Sequence, residues 1–337
     1  MMREPDELLV ILSDGMFHSG KTLSRRVGIT RAAIWKRIEA LRESGLTIDS
    51  AGKRGYRLIK PDDPLFPPLF SAPGCDVRYS FELPSTNTTA ALLAAEGAAH
   101  GTLVVAEKQR AGKGRRGRGW ASEVGGAMFS LVLRPTCAPA RAQRTPLVAA
   151  IAVAEACETV CGVSPLVKWP NDVIVGGKKL CGILLELSAE AEQILYLVLG
   201  VGINVAQREK DFPENLRDIA TSLAIESGHT VRRSDIITAF VERFFYWYKR
   251  MSSEPEYAFW HAFEPIYRER SATLGRRVNV AQASGSFEGT AIRLGDSGEL
   301  IVRADGGEDR AVWAADVTVR MRTDLSESHK EAQSRDE

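Results

Sequence analysis

Cations and glycines alternate in the segment that runs from Gln109 to Trp120. Arg110, Lys113, Arg115, Arg116 and Arg118 are separated by Gly112, Gly114, Gly117 and Gly119. Glycine allows a backbone to approach a ligand closely, and guanidinium groups bind carboxylate or phosphate oxygens in pairs. The segment therefore predicts a flexible loop that closes over an anionic group. A solvated basic loop, or a contact with nucleic acid, is the alternative.

The same segment satisfies the G-x-G-x-x-G pattern of a dinucleotide-binding turn through Gly112, Gly114 and Gly117. That turn opens an apolar helix which packs on a sheet. Here arginines stand where the apolar residues of the helix would be, and no Lys-Ser or Lys-Thr pair completes a P-loop. We therefore exclude both kinds of nucleotide-binding turn.

Two further segments could carry chemistry. The first is Lys168-Trp169-Pro170-Asn171-Asp172, followed by Gly176-Gly177-Lys178-Lys179. A hairpin turn at the glycine pair would place Lys168, Asp172 and Lys179 on adjoining strands, although Asn171-Asp172 could also simply form a turn. The second is Ser85-Thr86-Asn87, which precedes an alanine-rich helix and could either cap it or bind a polar ligand.

Alternating strand-like and helical stretches surround these segments and predict a mixed α/β or α+β domain over residues 71–270. Five short β runs follow within residues 271–322, which is typical of a small β-barrel. Residues 323–337 are too polar to bury a core, so we expect a disordered tail. The chain is thus expected to be a multidomain α+β protein.

Residues 1–60 predict a winged helix-turn-helix and carry 12 Lys and Arg against 7 Asp and Glu, a net charge of +5. Arg31 and Lys36 would lie near the start of the recognition helix, with Lys53 and Arg54 on the wing near phosphates. DNA binding is the favoured interpretation, and a packing or dimerisation module with solvated cations is the alternative. Four prolines within residues 61–70 indicate a stiff linker to the next domain.

Composition narrows the class of protein. Of the 337 residues 44% are hydrophobic, as in a globular protein. The 44 Lys and Arg are balanced by 43 Asp and Glu, which excludes a simple basic protein that coats nucleic acid. No export signal is visible, and the longest apolar run, Leu147 to Ala154, is too short to span a membrane. Five cysteines without a disulfide or zinc spacing favour the reducing cytoplasm.

Taken together, these segments resemble the biotin–protein ligases, specifically the bifunctional form that also represses the biotin operon. Ser85-Thr86-Asn87, the Gly112 to Gly117 loop and Gly202-Ile203-Asn204 are similar to family segments, and Lys168-Trp169-Pro170-Asn171-Asp172 matches the family motif residue for residue. The resemblance covers nearly the whole chain. It implies a class II synthetase-like α/β catalytic domain between the winged helix-turn-helix and an SH3-like β-barrel.

The resemblance also implies a two-step reaction. Biotin and ATP, with Mg²⁺ bound to the nucleotide and not to a protein-only site, give biotinyl-5′-adenylate and pyrophosphate. A lysine of a biotin carboxyl carrier domain then takes the biotin. The implied partners are that carrier domain, operator DNA and, once the adenylate is bound, a second copy of the chain; no membrane is involved.

The family's functional residues carry over by position. Ser85, Thr86, Asn87 and Gln109 would hold biotin, while Lys113, Gly114 and Arg115 would enclose the ligand and the adenylate. Gly112, Arg116, Gly117 and Arg118 would complete the adenylate loop. Arg115, Arg118, Lys168 and Lys179 would neutralise charge, Lys179 would polarise the carboxyl and phosphoryl oxygens, and Asp172 would orient or deprotonate the acceptor lysine. Gly182, Gly202 and Asn204 are further pocket candidates.

One position departs from the family pattern, since Lys113 stands where arginine is common. An ammonium cannot replace the bidentate fork of a guanidinium. If the family contact is made by the backbone, little changes; if it is made by the side chain, the adenylate would be held more weakly. Two other functions compete with the ligase: a lipoate–protein ligase, and a regulator that binds a corepressor without transferring it.

Overall fold

The computed structural model describes residues 7–43, 46–59, 63–67, 69–122, 124–190, 193–282, 285–313 and 316–319. The expected disordered tail, residues 323–337, lies outside the described residues, as do residues 61, 62 and 68 of the expected linker. Among the helices described, none is both long enough and apolar enough for a bilayer crossing. The five cysteines are free thiols.

The N-terminal unit is a winged helix-turn-helix, as the sequence predicts. Its helices are α1 (Glu7–Leu12), α2 (Gly20–Val27) and α3 (Arg31–Glu43), and its wing pairs β1 (Ile48–Ser50) with β2 (Tyr56–Leu58) in antiparallel register. Thr30 Oγ1 accepts a hydrogen bond from Ala33 N at 3.2 Å and so caps the start of α3. Ile34 and Ile38 of α3 are fully buried in the core of this unit.

The central unit is built on a mixed seven-stranded sheet in the order β3-β4-β5-β9-β8-β7-β6. Its strands are β3 (Asp76–Leu83), β4 (Thr102–Gln109), β5 (Ala127–Leu133), β6 (Leu166–Lys168), β7 (Asp172–Val175), β8 (Lys178–Glu190) and β9 (Gln193–Ile203). Only β3 and β4 pair in parallel, across a connection that contains helix α4 (Thr86–Ala95). Helix α4 covers one face of the sheet through an alanine-rich contact with β4, β5 and β9.

The opposite face of the sheet carries the main core. It is covered by α6 (Thr145–Cys161) and α8 (Arg233–Ser253), against which α9 (Glu256–Glu269) packs, with the short helices α5 (Pro139–Ala142) and α7 (Leu223–Ser227) beside them. Helix α9 was not among the helices that the sequence predicted. It contains Pro265, yet Phe259, Phe263 and Tyr267 recur every four residues and form its buried stripe.

The C-terminal unit contains the five strands predicted from the sequence, in an antiparallel sheet ordered β13-β12-β11-β10-β14. They are β10 (Arg277–Gln282), β11 (Gly285–Leu294), β12 (Leu300–Ala304), β13 (Asp309–Val312) and β14 (Asp316–Val319). Val278, Val280 and Val302 of this sheet belong to the same apolar cluster as the central unit. The two units therefore share a core.

A linker residue ties the winged helix to the central unit. The Asp63 carboxylate accepts hydrogen bonds from Arg233 N at 2.7 Å and Ser234 N at 3.0 Å, so it caps the start of α8 from a distant part of the chain. The Arg233 guanidinium bonds Asp63 and, on its other side, Glu107 of β4. Phe66, three residues after Asp63, is buried in the winged-helix core and lies 5.5 Å from the Tyr79 ring.

We expect Asp63→Ala to lower the free energy of unfolding by about 2 kcal/mol, because a buried arginine loses one carboxylate and α8 loses its cap. Burial raises the pKa of the Asp63 carboxyl, but hydrogen bonds from Ser234 and Arg233 outweigh it and hold that pKa below its ordinary value. The stabilisation is therefore present above about pH 4 and lost as the pH falls through the lowered pKa. Urea unfolding at several pH values measures it, with Asp296→Ala as the exposed control. Equal destabilisation by both variants would contradict the expectation.

Candidate active site

A cavity of ≈ 490 Å³ opens at the end of β4, between the start of α4, the glycine- and arginine-rich loop and the strands β8 and β9. Most of the residues predicted from the sequence line it: Ser85, Thr86, Asn87, Gln109, Lys113, Gly114, Arg115, Arg116, Arg118, Lys168, Asp172, Lys179, Gly182 and Gly202. Gly112 and Gly117 lie in the loop outside this lining, and Asn204 lines a neighbouring cavity. The structure thus brings three distant segments to one place.

A chain of polar side chains forms one wall of the cavity. Gln109 Oε1 accepts hydrogen bonds from Thr86 N at 2.6 Å and Thr86 Oγ1 at 3.1 Å, while Gln109 Nε2 donates to Ser122 Oγ at 2.8 Å. Ser130 Oγ lies 2.8 Å from Thr86 Oγ1 and 2.6 Å from Asn87 Oδ1. Because the amide and hydroxyl groups orient one another, the wall is fixed before a ligand arrives.

Ser85 stands at the N-cap position of α4, but its side chain makes no capping hydrogen bond. Capping alone therefore does not account for this hydroxyl, which is buried and lines the cavity. Ser130, whose hydroxyl joins Thr86 to Asn87, was not predicted from the sequence. Its position in the apolar strand β5 could have indicated it, since a buried hydroxyl needs a partner.

Glycines on two neighbouring strands form the floor of the cavity. Gly182 of β8 and Gly202 of β9 are register partners, and a Cβ atom at either would lie 2.8 Å or 2.6 Å from the Trp120 ring. A Cβ atom at Gly200 would collide with the carboxamide of Asn87. Glycine is required here because an aromatic ring and an amide lie directly on the backbone. Trp120 and Gly200 are site residues that sequence reasoning missed.

The loop is folded down over the cavity as a tight hairpin. Gly114 N donates to Arg118 O at 2.7 Å, and Trp120 N donates to Gly112 O at 2.9 Å. Its tip, Arg115 to Gly117, is a single 3₁₀ turn in which Arg116 has a φ of 55° and Gly117 a φ of 73°. No helix begins at this turn, which confirms that the glycine pattern is not a dinucleotide-binding turn.

Side chains on three different elements hold this loop. The Arg115 guanidinium donates to Asn171 Oδ1 at 3.0 Å, which joins the loop to the Lys-Trp-Pro-Asn-Asp segment. Arg110 pairs with Glu82 at 3.2 Å, and Lys113 Nζ lies 3.5 Å from Glu186 Oε1. The structure therefore places the loop's cations against both the cavity and its surroundings.

Two lysines and one carboxylate face the loop across the cavity. Lys168 and Asp172 are register partners in the β6–β7 hairpin, as the turn pattern predicted, and Lys179 Nζ lies 2.7 Å from Asp172 Oδ1 in an ion pair. The Lys179 ammonium also lies 5.3 Å from the centroid of the Trp120 ring. Backbone hydrogen bonds from Lys179 N to Ile219 O and from Thr221 N to Lys179 O hold the lysine's position on both sides.

The turn between Lys168 and Asp172 is attached to the C-terminal unit. Trp169 N donates to Thr273 Oγ1 at 3.0 Å, and Trp169 Nε1 donates to Gly298 O at 3.0 Å. Val317 of β14 lines the cavity itself. The C-terminal sheet therefore completes the site rather than standing apart from it.

A second, more apolar cavity of ≈ 270 Å³ adjoins the first. Arg118, Trp120 and Lys179 line both cavities, whereas Phe212, Leu216 and Ile219 line only the second. Asn204, also in the second cavity, is fixed by a hydrogen bond from Nδ2 to Thr221 O at 2.9 Å. Cations thus stand at the junction of a polar chamber and an apolar one.

Among the described residues, this site lacks the groups for two other kinds of chemistry, attack by a thiolate and catalysis by a metal ion held in a cluster of protein side chains. Burial raises the pKa of the Cys181 thiol, next to Gly182, well above its ordinary value, so a thiolate nucleophile is not available there. Across the described ranges, no group of three or more His, Cys, Asp or Glu side chains could hold a metal ion. The site is organised for binding and charge neutralisation.

The winged helix presents a separate basic surface. Arg31, Lys36, Lys53 and Arg54 are all exposed, and the Arg54 guanidinium lies 4.7 Å from the Phe17 ring centroid. Trp35 of α3 is 54% exposed and lines a cleft together with Arg31 and Gly52 of the wing. The four cations predicted to contact DNA are therefore accessible to a partner at the surface of this unit.

Comparison with known proteins identifies the family of the central unit and the domain type of the N-terminal unit. Residues 80–204 match the model of the Biotin/lipoate A/B protein ligase family, and residues 6–57 match an HTH domain. The chain is 36% identical to the bifunctional ligase/repressor BirA of Bacillus subtilis over 89% of this chain and 93% of that protein. It is 33% identical to the biotin–[acetyl-CoA-carboxylase] ligase of Paracoccus denitrificans over 69% of this chain and 96% of the relative.

A solved structure agrees with these matches. The biotin protein ligase from Aquifex aeolicus, in complex with biotin and ATP, superposes with a TM-score of 0.61 and 29% identity over 73% of this chain and 98% of that one. The chain therefore belongs to the biotin/lipoate protein ligase family, as a biotin–protein ligase of the bifunctional ligase/repressor type with an N-terminal helix-turn-helix domain.

Proposed function

We propose that the two adjoining cavities bind biotin and ATP, that Lys179 stands where their reacting groups meet, and that the adenylate formed there is transferred to a lysine of a biotin carboxyl carrier domain. The observation that carries this proposal is the ion pair of Lys179 with Asp172 at the junction of both cavities. ATP-dependent transfer of labelled biotin to one lysine of a carrier domain tests it.

Biotin occupies the polar chamber in this proposal. The ordered wall of Ser85, Thr86 and Gln109 offers hydroxyl and amide groups to a ureido ring, which both donates and accepts hydrogen bonds. The glycine floor lets a flat bicyclic ring lie against the backbone. The wall and the floor together select a compact, planar, polar head group.

The nucleotide spans the junction. Phe212, Leu216 and Ile219 provide the apolar surface on which a nucleobase would lie, with Asn204 beside it. Arg115, Arg118 and Lys168 line the polar chamber, Arg118 lines the apolar one as well, and the three would neutralise the phosphates. Magnesium would be bound mainly by the ATP phosphates, because this ion usually needs only one or two protein carboxylates. Asp172 is a carboxylate that lines the cavity.

In the first step, a carboxylate oxygen of biotin attacks the α-phosphorus of ATP, and the bond to the bridging oxygen of pyrophosphate breaks. Negative charge builds on the phosphoryl oxygens, where Lys179 and the loop arginines stabilise it. The mixed anhydride that results is destroyed by water. The loop, held down by Arg115 on Asn171, excludes water from it.

In the second step, the ε-amine of the acceptor lysine attacks the acyl carbon, an amide bond forms and AMP leaves. The incoming lysine must lose its proton to become a nucleophile. Asp172 has a carboxylate at the cavity wall, held by its ion pair with Lys179, and its backbone pairs with Lys168 across the hairpin. It is positioned to orient the amine and accept that proton.

Arg115→Ala should leave the adenylate poorly retained. The variant loses the guanidinium bond to Asn171 and one cation over the phosphates, so we expect release of biotinyl-5′-adenylate into solution to rise about tenfold or more. Chromatography of the free and the protein-bound adenylate after one turnover measures this release. Retention equal to that of the unsubstituted chain would mean that other contacts hold the loop closed.

We further infer that the winged helix binds operator DNA and that two adenylate-bound copies bind it together. The exposed cations of α3 and the wing, and the relatives named ligase/repressor, support this inference. Arg31→Ala should weaken binding to a DNA fragment selected from a random pool, without changing ligase activity. Sedimentation that finds a monomer at micromolar concentration with saturating biotin and ATP would contradict the dimer. We expect this work to take place in the cytoplasm, where free thiols persist.

A further inference from the structure

Glu186 is a charged residue of the central sheet that lies on the same face of β8 as the cavity floor. Successive side chains of a strand point to opposite faces, so Gly182, Leu184 and Glu186 share one face. Cys181 and Ile183 point the other way and are buried in the main core. Glu186 therefore stands two residues beyond the cavity lining residue Leu184, on the side of the ligand.

The carboxylate of Glu186 joins the polar wall of the cavity to Lys113, a cation of the glycine- and arginine-rich loop. Its Oε2 accepts a hydrogen bond from Asn87 Nδ2 at 2.8 Å, and its Oε1 lies 3.5 Å from Lys113 Nζ. Asn87 is buried and bonds Ser130 through its carboxamide oxygen. One end of the bridge is thus the fixed polar wall, and the other end is the loop.

We propose that Glu186 is a positioning residue that couples closure of the loop to the wall that holds biotin, through Asn87 on one side and Lys113 on the other. This inference rests on the proposed function. Gln109 bonds Thr86 at the base of the loop, whereas Glu186 reaches Lys113 further along it. The contacts of Arg110 with Glu82 and of Arg115 with Asn171 go to other parts of the site. Glu186 therefore links retention of the adenylate to the biotin side of the cavity.

The strength of this bridge depends on Lys113, which stands where arginine is common in the family. An ammonium contributes one charge at 3.5 Å, whereas an arginine fork can bond a carboxylate with two parallel hydrogen bonds. Both side chains are partly exposed, at 46% and 39%, so the pair is screened by solvent. Its effect should be modest, dependent on salt, and adjustable in either direction.

Three variants test the bridge through the rate at which biotinyl-5′-adenylate is released after one turnover. Glu186→Gln keeps an acceptor oxygen for Asn87 but removes the charge, and should raise release about threefold at low salt, the effect of an exposed ion pair. Lys113→Arg should slow release by a similar factor. The double variant should behave as Glu186→Gln alone, because the arginine has lost its partner.

The controls separate a bridge from a general structural effect. Glu190→Gln, exposed at the end of the same strand, should leave release and turnover unchanged. High salt should bring Glu186→Gln and the unsubstituted chain to the same release rate, since it screens the pair. Lys113→Met removes the charge at the other end of the bridge and should give the same release rate as Glu186→Gln.

Equal release by Glu186→Gln and the unsubstituted chain at low salt would overturn the inference. A Lys113→Arg gain that persists in the double variant would overturn it as well. Failure of the unsubstituted chain to form any adenylate would instead contradict the proposed function, and so the two failures are distinguishable in one experiment.

Discussion

Lys179→Ala should slow pyrophosphate release from biotin and ATP by about 10²- to 10³-fold, which is the usual cost of removing one group that stabilises charge in a transition state. Lys179 is placed by backbone hydrogen bonds on both sides and stands at the junction of the two cavities. Its loss also leaves the Asp172 carboxylate facing the phosphates without its partner at 2.7 Å. Both effects act on the chemical step.

Lys178→Ala is the matched control for this prediction. Lys178 precedes Lys179 on β8, but its Nζ donates to Arg217 O at 3.3 Å on the protein surface, and Lys178 lines neither cavity. We expect it to keep full activity. A pyrophosphate release rate for Lys179→Ala within twofold of that of Lys178→Ala, with both variants folded by circular dichroism, would remove Lys179 from the mechanism.

Gly200→Ala should weaken biotin binding by about tenfold or more, the ratio that corresponds to 1.4 kcal/mol of overpacking. A Cβ atom at this position would occupy the place of the Asn87 carboxamide. The backbone of Gly200 cannot retreat, because it pairs with Ser130 of β5 on one side and with Leu184 of β8 on the other. Asn87 would have to rotate, which breaks its bonds to Ser130 and Glu186.

Titration calorimetry with biotin measures this loss, with Gly306→Ala as the control. A Cβ atom at Gly306 meets nothing within 4 Å, so the same substitution there should be silent. Removing the obstructed side chain should relieve the strain: Gly200→Ala with Asn87→Ala should be thermally more stable than Gly200→Ala alone. An unchanged affinity for biotin in Gly200→Ala would show that the Asn87 position is not part of the biotin site.

Local patterns were sufficient to predict the main parts of the site. The alternation of glycine and cations marked the loop, and Gly176-Gly177 predicted a hairpin turn, which the antiparallel pairing of β7 with β8 confirms. Residues 1–60 predicted the winged helix, whose third helix is capped by the adjacent Thr30. These features depend on residues close in sequence, so their physical signals can be seen without the fold.

Contacts between distant segments could not be predicted in the same way. Glu186 bonds Asn87 across 99 positions, and Asp63 caps a helix that begins 170 positions later. The sequence around each of these carboxylates shows only an acidic residue in a strand or linker. Trp120 is an intermediate case, because Gly182 and Gly202 were pocket candidates but nothing in the sequence identified the ring that lies on them.

Helix α9 shows a different limit. A proline within a helical pattern normally predicts an end or a kink, yet α9 continues through Pro265 because its stripe of Phe259, Phe263 and Tyr267 is fully buried. Packing of three large aromatic side chains outweighs the loss of one backbone hydrogen bond. The four-residue spacing of those aromatic residues was the sequence signal for this helix and should have been given more weight than the proline.

Label transfer in a single reaction mixture tests the central claim most directly. The chain is incubated with ATP, magnesium, labelled biotin and a biotin carboxyl carrier domain, with lipoate as a parallel substrate. We predict pyrophosphate release over many turnovers that depends on biotin, with label on one lysine of the carrier domain. A single burst of pyrophosphate without transfer, or turnover with lipoate alone, would contradict the account.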